Sequence, residues 1–303
     1  MTPKCNITLS GRYKIQTIGP GGEIRQELDW FDNIITDLGL DLYSGRVAGK
    51  VSAAISIACL NKICVGTSNT APAISDVALG SWVADHSVIE SQADTINTPS
   101  RYFSLVKTVD FNAGVATGNL SEVGAGYDKL SLFSRALIKD GNGDPTTITV
   151  LADEVLRVSY ELRINIPTVS WNFTVDGYDF VLKAGGADGG EGFSKPGDRT
   201  AESTNWAYFY SGAIGLTIDD FPSGTQEVVG VTDSGAYTLG SYTYDITMSA
   251  SLIQANISIT AFSLSFGAMA WQGSISPAIV KDNTKTVDLG LRITWAREGE
   301  LPP

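Results

Sequence analysis

The sequence predicts an all-β protein of two β-sandwich, jelly-roll-like halves with one short helix near the N-terminus. Three observations predict it. Apolar residues recur at spacing two far more often than at three or four, which sorts side chains onto the two faces of strands. The 32 glycines, with recurring β-branched residues, Ser and Tyr, suit short strands joined by tight turns. Only one stretch, residues 32–43, places apolar side chains at helical spacing.

The first element is a hairpin. Leu9, Tyr13 and Ile15 alternate with polar neighbours over residues 6–16, Ile-Gly-Pro-Gly-Gly-Glu at 18–23 is a turn, and the chain returns over 24–31. The helix follows at 32–43, with Asp32 or Asn33 as N-cap and Ile34, Ile35, Leu38 and Leu42 along one face. Gly39 inside it costs about 1 kcal/mol relative to Ala. Residues 51–60 read as a buried strand or short helix, at about half the length a membrane-spanning helix needs. An irregular, well-packed loop occupies 65–83 and ends near Trp82; strands follow at 101–109, 111–118 and 120–123.

From 131 to 165 a strand, a tight turn and a second strand are expected. Asp-Gly-Asn-Gly-Asp-Pro at 140–145 makes the turn, and Leu156, Val158, Tyr160 and Leu162 then alternate with Arg157, Ser159, Glu161 and Arg163. Pro167 closes this half, giving domains at 1–167 and 168–303. The second half opens with strands and a glycine-rich polar loop at 185–199, expected to be exposed, and continues with strands over 206–210, 237–248 and 255–297.

One internal echo links the halves. Ser134-Arg135-Ala136-Leu137-Ile138-Lys139-Asp140 resembles Ser276-Pro277-Ala278-Ile279-Val280-Lys281-Asp282, and each is followed by a turn and a strand containing Leu-Arg-Ile, at 162–164 and 291–293. It marks two related sandwich halves, equivalent strands of a single larger sandwich, or, being short, chance convergence on strand grammar.

Composition excludes several function classes. A chain of 303 residues can bury a core without disulfides or metal. A net charge of −12, with 21 scattered Lys and Arg, argues against a nucleic-acid surface, which needs clustered cations. The three cysteines, Cys5, Cys59 and Cys64, are odd in number and lack a nearby histidine, so they read as small buried hydrophobes in a reduced cytoplasm. Residues 1–11 show no signal-peptide pattern and no segment is long enough for membrane insertion by a helix.

Catalytic and metal chemistry is not legible, and no catalytic, cofactor-binding or metal residue is assigned. His86 is the only histidine, reads as a surface residue, and has no Gly-x-Ser-x-Gly nucleophile elbow to serve. Asp153/Glu154 and Asp219/Asp220 are adjacent pairs that read as solvated turns, because neighbours on a strand point to opposite faces. Asp140, Asn142 and Asp144 imitate the start of a calcium loop, but Pro145 and Leu151 stand where an EF-hand needs Gly and an acid. The glycines at 185–192 lack the Lys-Ser/Thr of a phosphate loop. Trp171, Phe173, Trp206, Tyr208, Phe209 and Tyr210 could stack on sugar rings, but core or subunit contact is the favoured reading.

Four segments carry a family resemblance. Residues 30–40 (Trp-Phe-Asp-Asn-Ile-Ile-Thr-Asp-Leu-Gly-Leu), 64–72 (Cys-Val-Gly-Thr-Ser-Asn-Thr-Ala-Pro), 118–124 (Gly-Asn-Leu-Ser-Glu-Val-Gly) and 132–138 (Leu-Phe-Ser-Arg-Ala-Leu-Ile), with Pro-Thr-Thr-Ile-Thr-Val at 145–150, resemble tailed-bacteriophage and prophage virion proteins of the tail or baseplate type. The resemblance covers about the first 165 residues. It implies location in a particle more than a mechanism. With no chemistry legible and no signal peptide, the chain is expected to be a non-enzymatic virion part without a cofactor, made and assembled in the host cytoplasm, with other virion proteins and copies of itself as partners. Alternatives are a module binding a host-surface glycan or protein, a capsid decoration protein and, least favoured, a polysaccharide-degrading enzyme. Within these segments Glu122 and Arg135 are expected to form a partly buried ion pair that fixes the register of neighbouring strands.

Overall fold

The computed structural model describes residues 4–44, 47, 60–87, 91–97, 102–165, 167, 170–185, 207–217, 220–233, 237–266 and 269–300. The expectations for 51–59, for Cys59, for Trp206, for Asp219 and for the 185–199 loop beyond Gly185 lie outside these residues, as does the side chain of Cys5.

The chain opens with the long strand β1 (Lys4–Ile18), whose Ile7, Leu9, Tyr13 and Ile15 are buried on one face. A tight turn, closed by Gly19 N–H donating to Glu23 O at 2.8 Å, leads to β2 (Ile24–Asp32), and the two pair antiparallel with Tyr13 opposite Phe31. The expected hairpin is present. Ile34–Ile35 then forms a two-residue strand, β3, and the helix α1 spans Asp37–Tyr43.

The helix starts later than the apolar spacing suggests. Ile34 and Ile35 are drawn into pairing with Arg135 and Ser134, so the N-cap is Thr36, whose hydroxyl accepts from Gly39 N–H at 2.8 Å. Gly39 itself is explained by packing: a Cβ there would lie 2.1 Å from the Phe133 carbonyl oxygen. The helix is also pinned to the far end of the chain. Asp41 Oδ1 accepts from the Tyr237 hydroxyl and from Gly240 N–H, each at 2.7 Å, and Trp295 Nε1 donates to Leu40 O at 2.8 Å.

The remaining strands are β4 (Lys62–Gly66), β5 (Trp82–His86), β6 (Ser91–Asn97), β7 (Tyr102–Phe111), β8 (Gly118–Leu120), β9 (Glu122–Asp128), β10 (Ser131–Leu137), β11 (Ile148–Val150) and β12 (Val155–Asn165). Beyond Pro167 come β13 (Trp171–Val175), β14 (Tyr178–Ala184), β15 (Ala207–Tyr210), β16 (Gln226–Asp233), β17 (Thr243–Ala250), β18 (Ser258–Phe266), β19 (Met269–Val280) and β20 (Val287–Arg297). The all-β class is as expected, with α1 the one helix among the described residues.

Three sheets organise these strands. A large curled sheet runs β13-β14-β19-β18-β15-β16-β17-β20-β1-β12-β7-β6, with β2 also paired to β1. A five-stranded sheet has the order β3-β10-β9-β4-β5, and β8 and β11 form a small ladder. Strands from either side of Pro167 thus belong to one sheet, joined where β1 runs parallel to β20 from Lys4 opposite Arg292 to Leu9 opposite Arg297. The five-stranded sheet covers the β1–β12–β7 face, with the Tyr13 hydroxyl 2.6 Å from Ser134 Oγ across the core and the His86 ring edge-on to Phe111. In the second half the curl brings Phe180, Phe209 and Ile275 to face Val287 and Leu289 across a cavity of about 310 Å³.

The alternation read from β12 holds: Leu156, Val158, Tyr160, Leu162 and Ile164 are buried. The expected strand over 111–118 is not formed. Residues 112–117 turn instead, with Val115 N–H donating to Asn112 O at 3.0 Å, and the later strand begins at Thr243, not at Tyr237. The echo units occupy non-equivalent places. β12 and β20 flank β1, one antiparallel and one parallel, whereas β10 lies in the five-stranded sheet and β19 in the large one. Leu-Arg-Ile encodes an alternating strand but not its neighbours.

Candidate functional site

Parts of four of the segments that carry the family resemblance meet in the five-stranded sheet, while residues 118–120 and 148–150 pair with each other as the β8–β11 ladder. Cys64, Val65 and Gly66 end β4, Glu122–Gly124 open β9, residues 132–137 form most of β10, and Ile34–Ile35 are β3. Between β4 and β5 the loop 67–81 folds back over the outer face of this sheet, where Leu79 packs with Cys64 and Leu132.

At the base of the loop sits the Glu122–Arg135 pair. Arg135 Nε and Nη2 both donate to Glu122 Oε2, at 3.0 and 2.8 Å. The pair is fully buried, more so than expected, with side-chain exposures of 0% for Glu122 and 3% for Arg135. Glu122 also takes three loop donors: Ser68 N–H at 3.1 Å and Ser81 N–H at 2.7 Å on Oε1, and Gly80 N–H at 3.0 Å on Oε2. Arg135 reaches further into the loop, donating from Nη1 to Asp76 at 2.6 Å and from Nη2 to Thr70 O at 3.1 Å. Burial works against the guanidinium charge, but hydrogen bonds to Asp76 and Glu122 outweigh it and hold Arg135 above its ordinary value.

Local sequence permits this arrangement. A Cβ on Gly66 would stand 2.4 Å from Ser81 O and 2.5 Å from Glu122 Oε1, so only glycine lets the loop ends close over the carboxylate. The pair itself was legible on β9 and β10. Asp76 and the three backbone donors were not, because nothing in the spacing of 67–81 tells which of its amides turns inward.

Such a cluster can order a loop but cannot perform proton chemistry. Five donors occupy the Glu122 carboxylate, and the guanidinium is shared among three acceptors. The result is a loop that is largely exposed yet braced from beneath. Around it, Val77 and Trp82 are exposed, as is Leu130 in the β9–β10 turn, and Lys129 Nζ lies 4.3 Å over the Trp82 ring.

The other residues weighed for chemistry fall as follows. His86 is half-buried on β5 against Phe111, not a free surface side chain. Asp153 is exposed, but Glu154 is buried: it accepts from Leu151 N–H at 2.8 Å and pairs with Arg25 at 3.2 Å, closing the turn into β12. Asp220 is exposed and accepts from Leu216 and Thr217 N–H. Asp140 Oδ1 accepts from Asn142 and Asp144 N–H, at 2.9 and 3.0 Å, which makes the segment a self-satisfied hairpin turn. Among the described residues no group of three or more His, Cys, Asp or Glu could hold a metal. Cys64 is buried, and burial pushes its thiol up to about 12.

The aromatics lie mostly in the core. Phe209 and Tyr210 are buried, Trp171 packs on Trp271 with centroids 5.8 Å apart, and Phe173 stacks on Phe180 at 4.9 Å. Tyr208 is half-buried. These five form no open platform for a sugar ring. A cleft of about 370 Å³ lined by Arg12, Arg163 and Arg297 opens where β1 passes from β20 to β2. Each of these guanidinium groups is already paired, Arg12 and Arg163 with Glu161 and Arg297 with Asp37 and Glu300. No helix among the described residues is long and apolar enough to cross a membrane. Comparison with family models, curated proteins and solved structures gives no match.

Proposed function

We propose that this chain is a structural, non-catalytic component of a tailed-phage virion: a tail, baseplate or fibre-base protein that assembles as a homo-oligomer and docks neighbouring subunits. One observation carries the reading. Parts of the segments that resemble phage virion proteins supply β3, the end of β4, the start of β9 and most of β10 in one small sheet, and two of their charged residues, Glu122 and Arg135, brace an exposed loop. A buried ion pair contributes little net stability, so its return is geometric definition of what it holds. A braced loop flanked by exposed Val77, Leu130 and Trp82 is suited to docking against a protein, since its backbone has already been ordered.

The decisive experiment is to purify particles of the phage or prophage that encodes the chain, identify their proteins by mass spectrometry and label this one for electron microscopy. Label on the tail supports the proposal, and label on the shell moves the reading to capsid decoration. Absence from purified particles overturns it, as does turnover of host polysaccharide by the isolated protein.

A further inference from the structure

The sheets end in edges, and the edges are not alike. β2 carries Arg25, Glu27, Asp29 and Asp32, and β5 carries Asp85. Charged side chains on an edge oppose pairing with another strand. β13, at the other end of the large sheet, reads Trp-Asn-Phe-Thr-Val: it has no charge, no proline and no bulge in its register with β14. Among the described residues no strand pairs with its outer side.

The hairpin fixes which groups that outer side offers. Val175 and Tyr178 flank a two-residue turn in which Asp176 and Gly177 have φ of 51° and 81°. In such a hairpin the flanking residues exchange both hydrogen bonds, and bonded positions then alternate along the strand. Val175, Phe173 and Trp171 therefore bond inward to β14. The N–H and C=O groups of Asn172 and Thr174 point outward.

We propose that β13 is a self-pairing edge, to which a second copy of this chain adds its own β13 antiparallel about a two-fold axis through Phe173. The pattern is complementary to itself. Asn172 of one copy meets Thr174 of the other, so all four outward groups of each strand segment are satisfied and no like charges oppose. Phe173 meets its own counterpart at the close, non-bonded position, with Cα atoms about 4.5 Å apart. Because Phe173 already stacks on Phe180, the junction becomes a row of four rings. Trp171, Phe173 and Val175 pack against the core, so the paired strands would continue its apolar layer from one copy into the next.

Five residues per strand bury less than the roughly 1,000 Å² a standing interface needs. The pairing is therefore concentration-dependent, which suits copies crowded in an assembly. It deepens the homo-oligomer of the proposed function and rests on that reading.

Sedimentation of the full chain from micromolar to several hundred micromolar tests it. The expected result is a mass that rises towards twice the monomer in the wild type. Asn172→Pro removes an outward N–H while sparing every bond to β14, and should weaken association at least tenfold with an unchanged melting curve. Phe173→Cys places two sulfurs within disulfide reach across the two-fold, and mild oxidation should yield a 173–173 linked peptide absent from the wild type. A wild type that stays monomeric overturns the proposal, as does an Asn172→Pro chain that associates like wild type. If that variant fails to fold, the cross-link decides, and its absence overturns the pairing. None of these failures would touch the particle-labelling result, so the edge and the virion reading can fail separately.

Discussion

Glu122→Gln is the substitution that most directly probes the site. The carboxylate accepts from Ser68 and Ser81 on one oxygen and from Gly80 and both Arg135 nitrogens on the other. An amide keeps one acceptor and must turn its NH₂ towards donors. The ion pair is lost in either orientation, since the amide is neutral; facing the serine amides the NH₂ also breaks two bonds to backbone, and facing Arg135 and Gly80 it breaks three. Hydrogen bonds to charged groups are worth about 1.5–3 kcal/mol each, and breaking a buried pair costs about 3–5 kcal/mol. We expect a loss of about 3–5 kcal/mol, much of it as the cost of a guanidinium left with Asp76 alone. That is a large share of a typical stability of about 5–15 kcal/mol. Urea unfolding measures the total, and hydrogen exchange of the 67–81 peptide locates it. Faster exchange at Ser68, Gly80 and Ser81 is the signature of a loop released from its brace. A loss under about 1 kcal/mol, with exchange in the loop unchanged, would refute the argument that this pair holds the loop.

Other positions give independent readouts. Gly39→Ala raises helix propensity by about 1 kcal/mol, yet should destabilise by about 2 kcal/mol or more in thermal melting, because the new methyl meets the Phe133 carbonyl. Asp41→Ala removes the acceptor for Tyr237 and Gly240 and should cost about 1–3 kcal/mol, also read by melting, with Tyr237→Phe costing about 1 kcal/mol. Cys64, its thiol pushed up to about 12, should resist iodoacetamide in the folded protein and label only on unfolding, as read by peptide mass spectrometry. Asp245 is held below the usual carboxylate range by its hydrogen bonds to Arg292, at 2.6 and 2.7 Å, despite some burial. A depressed folded value contributes stability that is complete above an unfolded value of about 3.9 and is lost as pH falls through the folded one. With the pair about two-fifths exposed, screening keeps the effect under about 1 kcal/mol, and Asp245→Asn should flatten the acid limb of stability against pH by that amount.

The fold was legible wherever one face of an element is buried and the other is wet. β1 and β17 alternate cleanly and β12 does so apart from buried Glu161, and their register follows from that pattern. Legibility failed where a short apolar pair has two possible homes. Ile34 and Ile35 fit a helix face by spacing, but a two-residue ladder with β10 outcompetes one more turn of helix, and the cap falls to Thr36. Sheet membership was also hidden. β10 and β12 are close in sequence yet lie in different sheets; β10 is buried throughout and β12 mostly alternates, and neither pattern names what covers the strand.

The charged pair shows why part of the site could be read and part could not. Glu122 and Arg135 stand out because each interrupts an apolar run, and burying one without the other would be too costly. That inference reaches across two paired strands and no further. The three amides and Asp76 that complete the cluster come from a loop of small polar residues, in which many conformations offer equivalent donors. Only the closed geometry selects among them, with Gly66 admitting the loop end and Leu79 fastening it to Cys64 and Leu132. A buried carboxylate with just one cation beside it still has lone pairs to fill, so its presence requires further donors from some neighbouring segment. The loop 67–81 lies directly over that carboxylate, and holding it in one shape is the use to which the remaining acceptor capacity is put.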